Sequence, residues 1–339
     1  AGRSGAADAL ADDRPMAIAP ESDVGIPEVL TSCQAVMAAA RHVAIDAAAV
    51  DAFARRLAAD GIEVADDELL LRGTRAAGAN FVLVSDALNF CFWSDAPWEV
   101  TYRGQSWTRT FAMVAGLLRA IERDPAWLTA QRWAEASEAD VAEIFAGAGA
   151  IPLPQRRREI LNETGEILRI SYGGQFVNLV DAVEGDALLL ARRLALEFPS
   201  FRDVAYHPVG HVAFLKRAQI CAADLHRTWI AQGHAGLHNL AALTVFADYR
   251  LPQLFRHEGM LTLDGELAAT IDREEAILAA SPQEVELRAA TVVIGEMLVA
   301  ALASAGRPVA AYELDYELWR RAKLPEVQVP HHRTLTHFY

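Results

Sequence analysis

Apolar residues three and four apart recur from about residue 28 to the end of the chain, the period of helices that each bury one face. The pattern predicts helices over 32–40, 47–60, 111–123, 154–165, 174–183, 186–198, 211–229, 252–258, 265–279 and 281–304. A further helix should start at Ser137, with Ser137 as N-cap and Asp140 at its third position. In the segment 281–304, Pro282 falls at the first helical position, with Glu284 and Glu286 in the first turn, where the dipole favours acids. Strand signals are few: a short apolar run over 80–85, and an alternation from Trp98 to Trp107 around Arg103-Gly104-Gln105 that reads as a hairpin. There is no βαβ alternation and no fixed-period repeat, and no Gly-rich loop follows a strand, so a Rossmann or P-loop enzyme has no basis. The expectation is a mainly α protein: one helical domain over 28–339 with a small β element around residues 80–108, after a loose leader over 1–27.

Composition narrows the partners. With 53% hydrophobic residues in 339, the chain can fill a core. Its 31 Lys and Arg against 45 Asp and Glu give a net charge of −14, which opposes a nucleic-acid polymer but allows a single nucleotide in a local basic pocket. Cys33, Cys91 and Cys221 have no CxxC neighbours, so no zinc ribbon or disulfide framework is expected. The most apolar run, 289–303, is interrupted by Glu296 and falls short of the roughly 20 residues of a membrane span. The opening segment lacks a basic start and an apolar h-region. These features together lead us to expect a cytoplasmic protein without a membrane partner.

Four constellations carry possible chemistry. In 86–93, Asp86 and Asn89 sit beside Phe90, Phe92 and Trp93, a set able to stack a planar base and bond its edges, although aromatics at such a place more often fill a core. Lys216 and Asp224 are two i+4 steps apart, roughly 12 Å along one helix face, about the length of a nucleoside. Spacing alone favours a solvated flank for that pair. In 243–253, an apolar run delivers Asp248, Tyr249, Arg250 and Gln253 to the mouth of a helix near Pro252. A carboxylate in that setting can stabilise a cation or activate water, and an Asp–Arg pair closing a helix explains the pattern as well. Glu284, Glu286 and Arg288, with Glu296, read as a partly buried paired network near a pocket floor. His42 is as readily a pocket residue as a surface one. The HxxxH spacings at His207/His211 and His234/His238 lack the further ligands of a zinc site, and His331, His332 and His337 have no acidic or thiol partner nearby, so no metal is expected. No GxSxG elbow is present for a serine hydrolase.

Taken together, Asn89-Phe90-Cys91-Phe92-Trp93, Phe198-Pro199-Ser200-Phe201-Arg202-Asp203, Lys216-Arg217-Ala218-Gln219-Ile220, Phe246-Ala247-Asp248-Tyr249-Arg250-Leu251-Pro252-Gln253 and Glu284-Val285-Glu286-Leu287-Arg288-Ala289 resemble the queuosine salvage protein family, in the family's order and from roughly residue 30 to Tyr339. The loop 226–239 departs most. The resemblance implies a helical fold similar to the helix-hairpin-helix DNA glycosylases, and hydrolysis of the N-glycosidic bond of queuosine 5′-phosphate to queuine and ribose 5-phosphate without a cofactor. It places the family's catalytic Asp on Asp248 and its essential Lys on Lys216. Queuine is a 7-deazaguanine, so the ring position that purine nucleosidases protonate is carbon, and catalysis must lean on the sugar side, where an oxocarbenium-like transition state develops. Asp248 would stabilise that charge and orient or deprotonate water, or attack as a nucleophile, two roles that sequence does not separate; Lys216 would bind the 5′-phosphate or donate to the leaving base; Phe90, Phe92 or Trp93 would stack the base; Asp86 or Asp224 would bond its edge or its cationic amine. A non-catalytic binder of a modified nucleotide and a glycosylase acting on a nucleic-acid polymer are the competing readings.

Overall fold

The computed structural model describes residues 26–63, 69, 71, 73–94 and 96–339. The leader expected over 1–27 lies, up to residue 25, outside the described residues. Helices come first: α1 (Val29–Ala39), then strand β1 (Val43–Ile45), α2 (Ala47–Asp60) and α3 (Arg75–Ala87). The hairpin β2 (Glu99–Tyr102) and β3 (Gln105–Thr108) leads into α4 (Arg109–Arg123), α5 (Ala130–Ala134), α6 (Glu138–Ile144), α7 (Pro154–Tyr172), α8 (Phe176–Ala182) and α9 (Ala187–Glu197). A second hairpin, β4 (Val204–His207) and β5 (Gly210–Ala213), precedes α10 (Lys216–Ala231) and α11 (Arg250–His257). Strand β6 (Leu261–Leu263), α12 (Gly265–Asp272), α13 (Pro282–Ser304) and α14 (Ala311–Arg321) complete the order. The protein is mainly α, with three two-stranded antiparallel sheets: β1–β6, β2–β3 and β4–β5.

Helix α13 organises the interior. Its 23 residues are long and apolar enough to cross a membrane, yet the helix is largely buried among other helices. Val285, Ala289 and Val292 face the larger hydrophobic cluster, and Leu287, Ala290, Ile294 and Leu298 face a second one built with α2, α11 and α14. A helix apolar on every side is a core helix, and both clusters close on it. Gly295 is where the segment before α11 passes nearest: a Cβ there would lie 2.5 Å from Val245 Cγ2. That close pass sets the depth at which residues 245–249 enter the interior.

The capping signals form as read: Ser137 and Asp140 make a reciprocal capping box on α6, and the Ser281 side chain accepts the Glu284 N–H at the start of α13. The hairpin expected at 98–107 is β2–β3. Three expectations are corrected. The run 80–85 is the middle of α3, not a strand; Thr74 caps that helix, and every residue from Gly78 to Ala87 is buried, so no half-buried face existed to reveal the period. The helix expected from residue 211 starts at Lys216, because 204–213 form a hairpin, which also removes His207/His211 from any helix face. Helix α14 was not among the expected helices and forms one wall of the pocket described next.

Candidate active site

Helices α10 and α14, the start of α4, the loop after α3 and the N-terminus of α11 enclose a cleft of about 1090 Å³, its open mouth included. Lys216, Ile220 and Asp224, each four residues apart on α10, line one side, so the pair 216/224 faces the cleft and not a solvated flank. Lys216 opens its helix after Leu215, whose left-handed φ of 51° leaves no side-chain cap. Its Nζ donates to Asn89 O at 3.3 Å and makes no ion pair among the described residues, leaving ammonium protons for a ligand.

Asp248 sits at the mouth of α11. One carboxylate oxygen, Oδ1, accepts the N–H groups of Arg250 (2.7 Å) and Leu251 (3.1 Å), and no described group bonds Oδ2. The helix N-terminus therefore fixes the side chain while one oxygen faces the cleft. Burial pushes its carboxyl above the ordinary range, and the Lys216 charge opposes that rise. In Lys216, burial lowers the pKa, and Asp248, then Asp86, hold it up. Two further acids complete the surroundings. Asp315 on α14 lines the cleft and accepts the Phe246 N–H at 2.7 Å; burial holds its carboxyl well above the usual range. Asp224 pairs with Arg227 at 3.1 Å.

Asp86 lies behind this wall. It is buried, its Oδ1 accepts from Asn89 Nδ2 at 3.1 Å, and its Oδ2 is buried without a partner in the protein. Burial first, and then the Asp224 charge, push its carboxyl well above the carboxylate range.

The remaining predicted residues divide. Asn89, Phe90, Phe92, Tyr249 and Arg250 line the cleft. Phe90 is almost wholly buried, with the Arg157 and Arg217 guanidinium carbons 4.2 and 5.2 Å from its ring centroid, so Phe92 is the more open of the two rings. Trp93 lies off the cleft, near His331 (ring centroids 6.4 Å apart) and the Arg333 guanidinium. Gln253 is a brace instead of a contact: it accepts from Arg250 Nη1 at 2.8 Å and donates to Val329 O at 2.7 Å. His42 is elsewhere, with its Nδ1 2.6 Å from Asp264 Oδ2. It lies in the turn leading into β1, which pairs with β6 and so carries it to the start of α12.

Sequence reasoning named Arg250 but missed Arg109 and Lys323, which join it in the cleft beside Phe111, Tyr316 and Trp319. Burial, then Arg109 and Arg250, lower the Lys323 amine to about 8. Arg109 has no hydrogen-bond or ion-pair partner among the described residues, and Arg250 Nε is buried and unpartnered. Three crowded cations with no side-chain ion pair among the described residues can attract an anion. The available signal was the string Tyr312–Trp319, with aromatics at 312, 316 and 319 around Asp315. Among the described residues, no group of three or more His, Cys, Asp or Glu side chains is placed to hold a metal ion. His332 is buried and His331 and His337 are partly buried, and all three are held neutral, their pKa lowered to about 3, 4 and 3, chiefly by burial.

Comparison with known proteins gives this geometry its context. A family model described as queuosine salvage protein matches residues 71–339. The chain is 40% identical over 314 residues to a Sphaerobacter thermophilus protein named queuosine 5′-phosphate N-glycosylase/hydrolase, covering 92% of this chain and 97% of that one. Proteins of the same name from Mus musculus and Dictyostelium discoideum are 34% and 30% identical, covering 80% and 77% of this chain and 85% and 78% of theirs.

Proposed function

The chain belongs to the queuosine salvage protein family, and from that premise we propose that it hydrolyses the N-glycosidic bond of queuosine 5′-phosphate, releasing queuine and ribose 5-phosphate. The observation that carries this reading is one cleft that gathers the Asp248 carboxylate, the Lys216 ammonium and the cations Arg109, Arg250 and Lys323. Arg109, Arg250 and Lys323 take the 5′-phosphate, which favours the monophosphate over the nucleoside. The open edge of Phe92 and the ring of Tyr249 flank the base, and Asp224 faces its cationic amine.

Asp248 works at the anomeric carbon. Its cleft-facing oxygen stabilises the positive charge that develops as the C1′–N9 bond lengthens, and accepts a proton from the attacking water. Lys216 donates a proton to the departing base, so that the water hydroxyl ends on C1′ and the base leaves as neutral queuine. The Lys216 amine then recovers its proton from the Asp248 carboxylic acid, and both groups return to their starting states. The low polarity that depresses Lys216 and raises Asp248 brings their pKa values toward each other, which eases this transfer.

The test is incubation of the purified protein with queuosine 5′-phosphate and chromatographic measurement of free queuine. Release at catalytic protein concentrations supports the reading. Tight binding of the nucleotide without release sinks the hydrolase and leaves a binding protein.

A further inference from the structure

Two of the sequence strings singled out above carry residues for which hydrolysis itself has no use: Asp203 and Arg288. Both are buried, and they meet in a two-pronged ion pair, Arg288 Nη1 to Asp203 Oδ1 at 2.8 Å and Nη2 to Oδ2 at 2.6 Å. The third edge of the guanidinium is also used, with Nε donating to Ala247 O at 3.1 Å. Its faces are covered by Phe214 and by Tyr339, whose ring centroids lie 4.0 and 4.3 Å from the guanidinium carbon.

What this pair touches is the point. Asp203 Oδ2 accepts the backbone N–H of Lys216 at 3.1 Å, and Asp203 O accepts the N–H groups of Phe214 and Leu215 at 3.0 and 3.3 Å. Because Leu215 leaves α10 without a side-chain cap, Asp203 supplies from outside the helix the acceptor that a cap normally supplies. Ala247, at the other end of the pair, is the residue immediately before Asp248. One rigid planar fork thus joins the backbone of Lys216 to the backbone of Asp248, although the two lie on elements that approach the cleft separately. We infer that Asp203 and Arg288 are positioning residues that set the separation of Lys216 and Asp248 for the reaction. A role in stability alone explains the arrangement poorly, since a buried ion pair gains little over apolar residues of similar volume.

The inference rests on the hydrolase reading, and the experiment separates the two. The wild type is assayed first; if it releases no queuine, both readings fall. Given an active wild type, Arg288→Lys keeps the charge opposite Asp203 but cannot span both Asp203 and Ala247. Asp203→Asn keeps an oxygen for the Lys216 N–H but removes the nearer of the fork's two anionic partners, leaving Glu284 at 3.6 Å. Melting temperatures give the folded fraction, and kcat and KM are measured on folded protein well below melting. We expect kcat per folded molecule to fall about 10- to 100-fold with KM held, the signature of misplaced catalytic groups. The alkaline limb of kcat should shift as well, because Asp248 is the group that most holds up the Lys216 pKa. Should Asp203→Asn fail to fold, Arg288→Lys decides. Activity that falls only in step with the folded fraction, with kcat and its pH profile unchanged, overturns the inference.

Discussion

Replacing Asp248 with Asn separates the two things this carboxylate does. Its Oδ1 accepts two backbone N–H groups at the start of α11, and an Asn oxygen can accept both. Asn and Asp cap helices about equally well, so the stability change stays within about 1 kcal/mol. What disappears is the negative charge facing the cleft. A unit charge about 4 Å from a developing oxocarbenium, at an effective dielectric near 20, is worth about 4 kcal/mol. At about 1.4 kcal/mol per decade, that is roughly a thousandfold in kcat. A second signature follows from Lys216, whose amine is lowered by burial and raised chiefly by Asp248. Without that charge the Lys216 pKa drops further, and the alkaline limb of the residual activity moves to lower pH. In the wild type the ascending limb should lie above the ordinary carboxylate value of about 3.9 and the descending limb below the ordinary amine value of about 10.4, because burial raises Asp248 and lowers Lys216. The assay is queuine release at saturating substrate across pH, with melting temperature alongside. Asp248→Ala is the control: it loses both helix contacts and melts lower by about 1 kcal/mol, with no deeper loss of kcat than Asn. Asp248→Asn with kcat within tenfold of wild type at an unchanged melting temperature would refute the assignment.

Three further outcomes are expected. Arg109→Ala, which removes a cation without a described partner, should raise KM for the 5′-monophosphate about 10- to 100-fold and leave hydrolysis of the nucleoside unchanged; equal losses on both substrates would place the phosphate elsewhere. Asp86 has a folded-state pKa well above its unfolded value, so its stability contribution is lost as pH rises from the unfolded value toward the folded one. Asp86→Asn should therefore melt higher than wild type at about pH 8 and equally at about pH 3 by calorimetry, and a lower melting temperature at about pH 8 would contradict the buried-charge argument. Gly295→Ala drives a Cβ into Val245 and should destabilise by about 1–3 kcal/mol; kcat of the folded protein should fall with it, because Val245 lies three residues before Asp248.

Legibility of the chain followed the physics of exposure. Helices with one wet face, such as α2 over Ala47–Asp60, carried a readable period, and local caps such as Ser137 needed only four residues of context. α3 did not, because burial on all sides removes the polar face that distinguishes helix from strand, and a four-residue apolar run fits both. The site divided along the same line. Asp248 and Lys216 stood out as charges set in apolar patterns and Phe90 and Phe92 as clustered aromatics, and the cleft gathers these four, though not Trp93. For Lys216 and Asp224 spacing alone favoured solvent, and the cleft overturns that, since a helix face is defined by what packs over it; α14, about 90 residues later, forms the facing wall. The same reasoning explains the cations. Arg109 and Lys323 look like ordinary surface charges in sequence, and join Arg250 in a cationic cluster only because separate elements bring the three together. His42 is the converse. Its neighbourhood in sequence fitted a pocket and a surface equally, and the β1–β6 pairing carries it to Asp264, where it braces the start of α12. Residues that act through one element can thus be found one string at a time, whereas residues that act by convergence become visible only when the long-range pairings are known.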